Sequence, residues 1–496
     1  MTATKRKNPL ILNAFDMGCS GLQCPGLWKH PDDKSREYNT IEYWTYLAKL
    51  LEKGKFNALF IADVLGAYDV YNGPRNFTAA AKSGAQFPVN EPSAVVSAMA
   101  AVTKNLSFAI TFSTISEAPY HFTRRLATLD HLTRGRIGWN IVSSYLDSAA
   151  RNLLNGEPLT PHDERYDKAQ EYLEVVYQLF LSSWADDALK YDRKTGIFAD
   201  PTRIREINYD GKYYNVPGPN ITEPTPQRLP VILQAGASKK GLEFAARNAE
   251  AVFITGLTPE VLKHKIDELK ALAASYGRDP SEIKTFQLVT IIVAPTHDEA
   301  VAKYEEYNKY SDIEGAQALF GGWTGIDLSK YDYDEELTKV ESNAVRSFAD
   351  SWTKKLPGEP EELKKTRGYL SEHIAIGGVG VVIYGSPEEV ADQIEHWVDV
   401  SGVDGFNLTY AVTPATYEDI VEYLIPELRK RELVWDDYPK ENLTFRENLY
   451  GIEGEDPSYL SKTHPAHDLR WKADESKEEF EKKFNNTIKE KFTFDK

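Results

Sequence analysis

The chain has 496 residues but only two cysteines and three methionines. Cys19 and Cys24 share one short stretch, so no disulfide framework is available and the pair reads as reduced loop thiols. Two thiols without a neighbouring histidine pair make a poor ligand set, and no metal site is expected. Positive charge is also short. Lys+Arg number 58 against 75 Asp+Glu, a formal net charge of -17, which disfavours both nucleic acid and an anionic membrane surface as partners. No apolar run approaches the roughly 20 residues that a bilayer crossing needs. The strand-like Leu10–Phe15 near the start is too short for a signal-peptide core, and the cytoplasm is the expected location. Several motifs are missing: the Gly-x-x-x-x-Gly-Lys-Ser/Thr phosphate loop, the His-Glu-x-x-His zinc helix and the Gly-x-Ser-x-Gly nucleophile elbow. The glycine-rich run Gly377–Val382 lacks a third spaced glycine and continues into Ile383-Tyr384-Gly385, where a dinucleotide fingerprint requires a helix to open. It reads as a mobile turn.

What is present is an alternation of short β-rich runs with amphipathic stretches, the pattern of βαβ units. Eight strands are expected, at Leu10–Phe15, Ala58–Ala62, Leu106–Ser113, Arg136–Val142, Val231–Ala235, Ala251–Thr255, Thr285–Ala294 and Gly405–Val412. Helices are expected at Thr40–Lys53, Pro119–Leu132, Asp163–Leu181, Ser238–Asn248, Pro259–Tyr276 and Tyr417–Lys430. A doubly wound sheet shares this local pattern; the even count and the length favour an α/β fold of the (β/α)8 TIM-barrel type. Two insertions interrupt it, at about 185–229 and 311–379. The first holds the turn signal Asp210-Gly211 ahead of Lys212–Val216, which reads as a hairpin arm. The second keeps Phe320, Trp323, Phe348 and Trp352 and reads as a partly helical lid, with Phe320, Trp323 and Tyr331 as candidate lining. The expected organisation is a barrel over residues 1–431 and a wrapping extension over 432–496.

Two segments look able to hold a ligand. Gln234-Ala235-Gly236-Ala237-Ser238 closes a strand and opens a helix, where small residues admit a ligand to the backbone and Ser238 can cap the helix. A phosphate grip at Gly236, Ala237 and Ser238, or a plain turn with a serine cap, are both consistent with it. Farther upstream, His162 and Tyr166 lie four apart at a helix start, on one face; such a pair is structural or ligand-binding. At the strand ends stand Asp63, Thr111, Ser113 and Asn140, which a barrel would bring to its mouth. The apolar residues Tyr172, Val175, Val176 and Leu179 on the Asp163–Leu181 helix either face the barrel or serve association between chains.

The runs Glu117-Ala-Pro-Tyr-His121, Leu129–Val142 (LDHLTRGRIGWNIV), Asp163-Glu-Arg-Tyr166 and Gln234–Ser238 resemble the nitrilotriacetate monooxygenase component A family, luciferase-like two-component flavin monooxygenases. The resemblance runs from about Asn8 to Trp471. It implies a TIM barrel that takes reduced FMN from a separate flavin reductase and uses dioxygen to oxygenate a small organic substrate. It further implies that Asp63, Thr111, Ser113 and Asn140 face the flavin ring, that His162, Tyr166 and the Gly236–Ser238 turn hold the phosphate end, and that the chain is a homodimer or homotetramer. The oxygen chemistry belongs to such a cofactor, so no acid–base dyad is required of the protein and no catalytic residue is singled out. Luciferase-like barrels also serve deazaflavin-dependent hydride transfer, and a flavin-binding barrel without turnover is the third alternative.

Overall fold

The computed structural model describes residues 9–236, 238–337, 355–356, 359 and 362–492. Thirteen strands follow in chain order: β1 (Ile11–Met17), β2 (Ala58–Ala62), β3 (Ser107–Ser113), β4 (Ile137–Val142), β5 (Leu189–Asp192), β6 (Ile197–Ala199), β7 (Tyr209–Asp210), β8 (Asn215–Val216), β9 (Val231–Gln234), β10 (Ala251–Ile254), β11 (Lys284–Val293), β12 (Val381–Gly385) and β13 (Gly405–Thr409). Eight of them pair in parallel around a closed ring, β1-β2-β3-β4-β9-β10-β11-β13, and β13 returns to β1 with Asn13 opposite Asn407. This is the expected (β/α)8 barrel, and all eight expected strands are in it.

The ring closes because its strands are short, β-branched or aromatic, and buried on both faces, as a parallel sheet wrapped in helices requires. Inside it, Phe15 stacks on Phe60 at 5.0 Å, and Phe60 on Phe253 at 4.1 Å. These rings mark the inward face, so register places Asn13, Thr111, Asn140, Thr290, Asn407 and Thr409 inside the barrel as well. Outside, helix Ile41–Lys53 is capped by the Thr40 side chain, and helix Lys239–Asn248 by that of Ser238, which accepts from Gly241 N–H. Helix His162–Leu181 buries Tyr172, Val175, Val176 and Leu179 to 1% exposure or less within the single chain. Tyr172 and Val176 join the main core, while Val175 and Leu179 pack with Ile207 against Tyr209 and Val216 of the β7–β8 hairpin, so none of the four carries an argument for association.

Two expectations need correcting. The Gly377–Val382 run is not simply a turn: Gly377 and Gly378 turn with φ of 94° and 58°, and β12 begins at Val381. β12 pairs with the upper half of β11, Val289–Val293, as a ninth strand beside the ring. A strand that pairs on one side only, behind two glycines, leaves no periodic signal. The Tyr417–Lys430 stretch is likewise not one regular helix but Ala415–Asp419, a π turn over Ile420–Leu424, and Ile425–Lys430. Pro426 has no N–H to continue the α ladder.

The first insertion folds into the expected hairpin, β7 against β8, with a second hairpin, β5 against β6, before it. In the second, helix Ile313–Thr324 buries Phe320 and Trp323; Phe348 and Trp352 lie outside the described residues. Past the barrel, helix Phe445–Tyr450 covers the amino ends of the strands. The Phe445 ring enters the barrel there, and a Cβ on Gly138 would stand 2.5 Å from it, so only glycine fits. No helix among the described residues is long and apolar enough to cross a membrane, and none of them form a cluster of His, Cys, Asp and Glu able to hold a metal.

Candidate active site at the barrel mouth

At the carboxyl ends of β2, β3 and β4 the chain forms a cleft lined by Asp63, Val64, Leu65, Thr111, Ser113, Val142, Ser144, Tyr145 and Leu146. Its polar groups come from strand ends, where the last inward-facing side chain of each strand has nothing above it. Asn140 donates from Nδ2 to Thr111 Oγ1 at 2.9 Å, and its Oδ1 is buried without a protein partner. Such an acceptor costs about 1–3 kcal/mol unless something donates to it, so Asn140 is poised for a ligand N–H or O–H. Asp63 stands at the rim with no ion pair among the described residues. Burial first, then the charge of Glu91, lifts its carboxyl to about 7, against weaker pulls from the Val64 N–H and then Arg125.

A second cluster lies beside the first, at the carboxyl end of β9. His162 Nε2 is 3.1 Å from Ser238 Oγ. The Tyr166 phenol faces Ser238 and Ser143, and burial raises its pKa. A Cβ on Gly236 would stand 3.0 Å from Tyr166 Oη, and one on Gly241 2.7 Å. The small residues of the turn thus leave a backbone-lined cradle between the phenol and the start of helix Lys239–Asn248, a place suited to an anion. Ala237 lies outside the described residues. The loop after β4 joins the two clusters: Ser143 faces Tyr166, while Ser144 and Tyr145 line the cleft.

Eight of the nine site residues expected from sequence are therefore described, and the fold brings them to one mouth in two adjoining groups. Sequence reasoning missed the wall above them. Tyr145 Oη meets Tyr68 Oη at 3.0 Å; Tyr68 Oη donates to Gln86 Oε1 at 2.7 Å and accepts from Trp323 Nε1 at 3.0 Å. Gln86 Nε2 donates to Leu22 O at 2.6 Å, tying in the β1 loop. Trp323 was a lining candidate; Tyr68, Gln86 and Tyr145 were not, because the loops that carry them have no period. The rule that strand ends converge would have found Tyr145, three residues past β4. Both cysteines are free and buried. Burial holds the Cys19 thiol well above its ordinary range and Cys24 up at about 12, so neither is a thiolate. Cys24 Sγ accepts from Gly377 N–H at 3.2 Å, which pins the turn ahead of β12.

Residues 26–404 match the model of the luciferase-like monooxygenase family. The chain belongs to that family. It is 47% identical over 464 residues to a dimethyl-sulfide monooxygenase of Hyphomicrobium sulfonivorans, covering 94% of each chain. A crystal structure of a long-chain alkane monooxygenase superposes with a TM-score of 0.85 at 43% identity, over 94% of this chain and all of that one. A nitrilotriacetate monooxygenase component A of Aminobacter aminovorans is 32% identical over 87% of this chain and 94% of its own. The resemblance read in the sequence is borne out, and the protein is a monooxygenase, an oxidoreductase that incorporates oxygen. The deazaflavin-dependent and non-catalytic alternatives are not favoured.

Proposed function

We propose that this monooxygenase is the oxygenating member of a two-component system. It takes reduced FMN from a separate flavin reductase and, with dioxygen, oxygenates a small, uncharged, largely apolar substrate. The observation that carries the reading is the pairing of an anion cradle with a polar cleft, joined by Ser143–Tyr145. That is the shape a flavin phosphate and a flavin ring require together. His162, Tyr166, Gly236, Ala237 and Ser238 hold the phosphate; Thr111, Ser113, Asn140 and Asp63 meet the polar edge of the ring. Bound there, the reduced flavin supplies the electrons and activates dioxygen. The chain's own residues orient, shield and hold protons. Tyr68, Tyr145, Gln86 and Trp323 form a linked wall of hydroxyl, amide and indole groups that reaches the cleft through Tyr145, and the Asp63 carboxyl can hold a proton near neutral pH.

Substrate class follows from charge. Among the described residues the cleft lining contains no Lys, Arg or His, and its one carboxyl is that of Asp63. A polycarboxylate would find no cationic partner among these lining residues. A neutral sulfide or hydrocarbon meets Val64, Leu65, Val142 and Leu146. We place the enzyme in the cytoplasm, consistent with its two free thiols, and as a homodimer or homotetramer. Exposed Tyr191, Ile197 and Phe198 on the β5–β6 hairpin supply apolar surface for that assembly, and light scattering of a strict monomer at micromolar concentration would remove it.

The test is oxygen-18 labelling. With chemically reduced FMN and labelled dioxygen, one labelled atom enters a small organic sulfide; NADH alone gives no product. Product formed with NADH alone, or label drawn from water, overturns the two-component reading. Preference for an aminopolycarboxylate over the sulfide overturns the substrate class.

A further inference from the structure

Helix His162–Leu181 meets the β7–β8 hairpin through two glutamates three residues apart, and neighbours at that spacing share a helix face. Glu171 Oε1 accepts from Tyr213 N–H and Tyr214 N–H, each at 2.8 Å. A Cβ on Gly211 would collide with that oxygen, so the hairpin tip is seated on the Glu171 carboxylate. Glu174 lies deeper, 7% exposed. Its Oε2 accepts from Tyr209 Oη at 3.1 Å and its Oε1 from Gln170 Nε2 at 3.3 Å. Beside these contacts Val175, Leu179 and Ile207 form a small apolar cluster with Tyr209, Tyr214 and Val216.

The hydrogen bonds run on from Glu174. Donating to it turns the Gln170 amide so that Gln170 Oε1 accepts from Asn248 Nδ2 at 2.7 Å. Asn248 O accepts from His464 Nε2 at 2.9 Å, and His464 Nδ1 accepts from Ala466 N–H at 3.2 Å. One buried chain thus joins the hairpin, two barrel helices and the C-terminal extension, with two donors aimed at Glu174. That arrangement suits a carboxylate. A protonated carboxyl carries a hydrogen of its own, which the Tyr209 oxygen can accept where it now donates.

We propose that Glu174 is a proton-operated latch for the β7–β8 hairpin: with its carboxyl neutral the hairpin is seated, and ionisation, which sets a second negative charge beside Glu171 beneath the same hairpin, loosens it. The groups that face Glu174 are Gln170, Glu171 and Tyr177 from its own helix, Tyr209 from the hairpin, and Arg247 and Asn248 from helix Lys239–Asn248. The Arg247 guanidinium lies over the Tyr276 ring at 4.7 Å. Burial raises the Glu174 pKa most, to about 7; the bonds from Gln170 and Tyr209 and the charge of Arg247 lower it, and Glu171 raises it. In a released hairpin the carboxyl ionises near its ordinary 4.5. Seating is therefore fully present below that value, weakens as pH rises toward 7, and levels off above it.

The test is hydrogen exchange of the full chain between pH 5 and pH 8, corrected for the intrinsic rise of exchange with pH. Amides of residues 207–216 report the hairpin, and those of β3 and β4 report opening of the barrel as a whole. Relative to the barrel, opening of the wild-type hairpin rises about tenfold or more across this range. Glu174→Gln keeps the shape of the neutral acid and cannot ionise, so its hairpin opening no longer changes with pH. Tyr209→Phe removes one donor to the carboxylate and moves the rise to higher pH; if Glu174→Gln does not fold, this variant decides. A wild-type hairpin whose opening is flat with pH, a Glu174→Gln protein that keeps the wild-type dependence, or a Tyr209→Phe protein with an unmoved rise overturns the proposal.

Discussion

Asn448 and Asn140 both lie buried at the barrel, at opposite ends, and they are treated differently. At the floor, Asn448 Nδ2 lies within 3.1 Å of Asn57 O, Asn105 O and Ser107 Oγ, and its Oδ1 accepts from Asn57 Nδ2. Next to it Arg446 binds both oxygens of Glu250 and the carbonyl of Leu229. Toward the mouth, Asn140 has one partner, and its Oδ1 has none among the described residues; elsewhere inside the barrel Oδ1 of Asn13 and Asn407 and Oγ1 of Thr290 and Thr409 are also without one. The floor spends its polar groups on its own backbone, which makes it a clamp. The mouth keeps them open, which makes it a receptor. Stability and binding are thus assigned to opposite ends of one barrel.

The strongest way to break this comparison is at the floor. Arg446→Met leaves the Glu250 carboxylate buried and unpaired, and should cost about 3–5 kcal/mol in urea unfolding, while the folded fraction still binds reduced FMN. Loss of binding without loss of stability would contradict the division.

Next comes pH. The buried Asp16 carboxyl, bonded to Tyr43 and to Met17 N–H, is raised from 3.8 to about 7 by burial. Below about pH 4 it is neutral in both states; from there to about pH 7 only the unfolded chain ionises, so folding stability falls as pH rises and then levels off. Glu174, raised from 4.5 to about 7 by burial, acts in the same direction, as does Asp63. Unfolding measured at pH 5 and pH 8 should show a loss on the order of 2 kcal/mol per fully buried group, and Asp16→Asn should flatten part of that slope. A slope unchanged in the variant would show Asp16 to be ionised throughout.

The matched pair sharpens the comparison further. Asn448→Ala should destabilise by about 1–3 kcal/mol, because it orphans buried backbone carbonyls. Asn140→Ala should leave the unliganded protein nearly as stable as before and instead weaken reduced-FMN binding, as calorimetry would show. The smallest effect is at the cradle: Ser238→Ala should weaken FMN by about 1–2 kcal/mol and leave riboflavin, which has no phosphate, unchanged. Equal affinities of the wild-type protein for the two flavins would remove the phosphate grip.

Much of this was legible in order along the chain. The eight ring strands and the caps Thr40 and Ser238 announce themselves through period and residue type, because inward aromatic rings and capping hydroxyls act within a few residues of where they stand. β12 was not legible, since its pairing depends on β11 nearly a hundred residues earlier. The two halves of the site, by contrast, are alike in this respect. Asp63, Thr111, Ser113 and Asn140 sit at strand ends and His162, Tyr166 and Ser238 at helix starts, so local pattern marks them out.

The sequence by itself determined eight strands alternating with helices, the two thiols that form no framework, and which polar residues stand at strand ends and helix starts; closure of the ring came from the tertiary structure. The tertiary structure decided what those residues do there. Only folding sets Tyr68, Gln86, Tyr145 and Trp323 into one wall, brings Ser143 between cradle and cleft, and sets Arg125 between Glu117 and Glu91. The reason is physical: a strand or helix is selected by neighbours in sequence, whereas a buried hydroxyl, carboxyl or guanidinium is governed by whichever charges and dipoles the closed ring carries to its side, and those come from segments that share no local pattern.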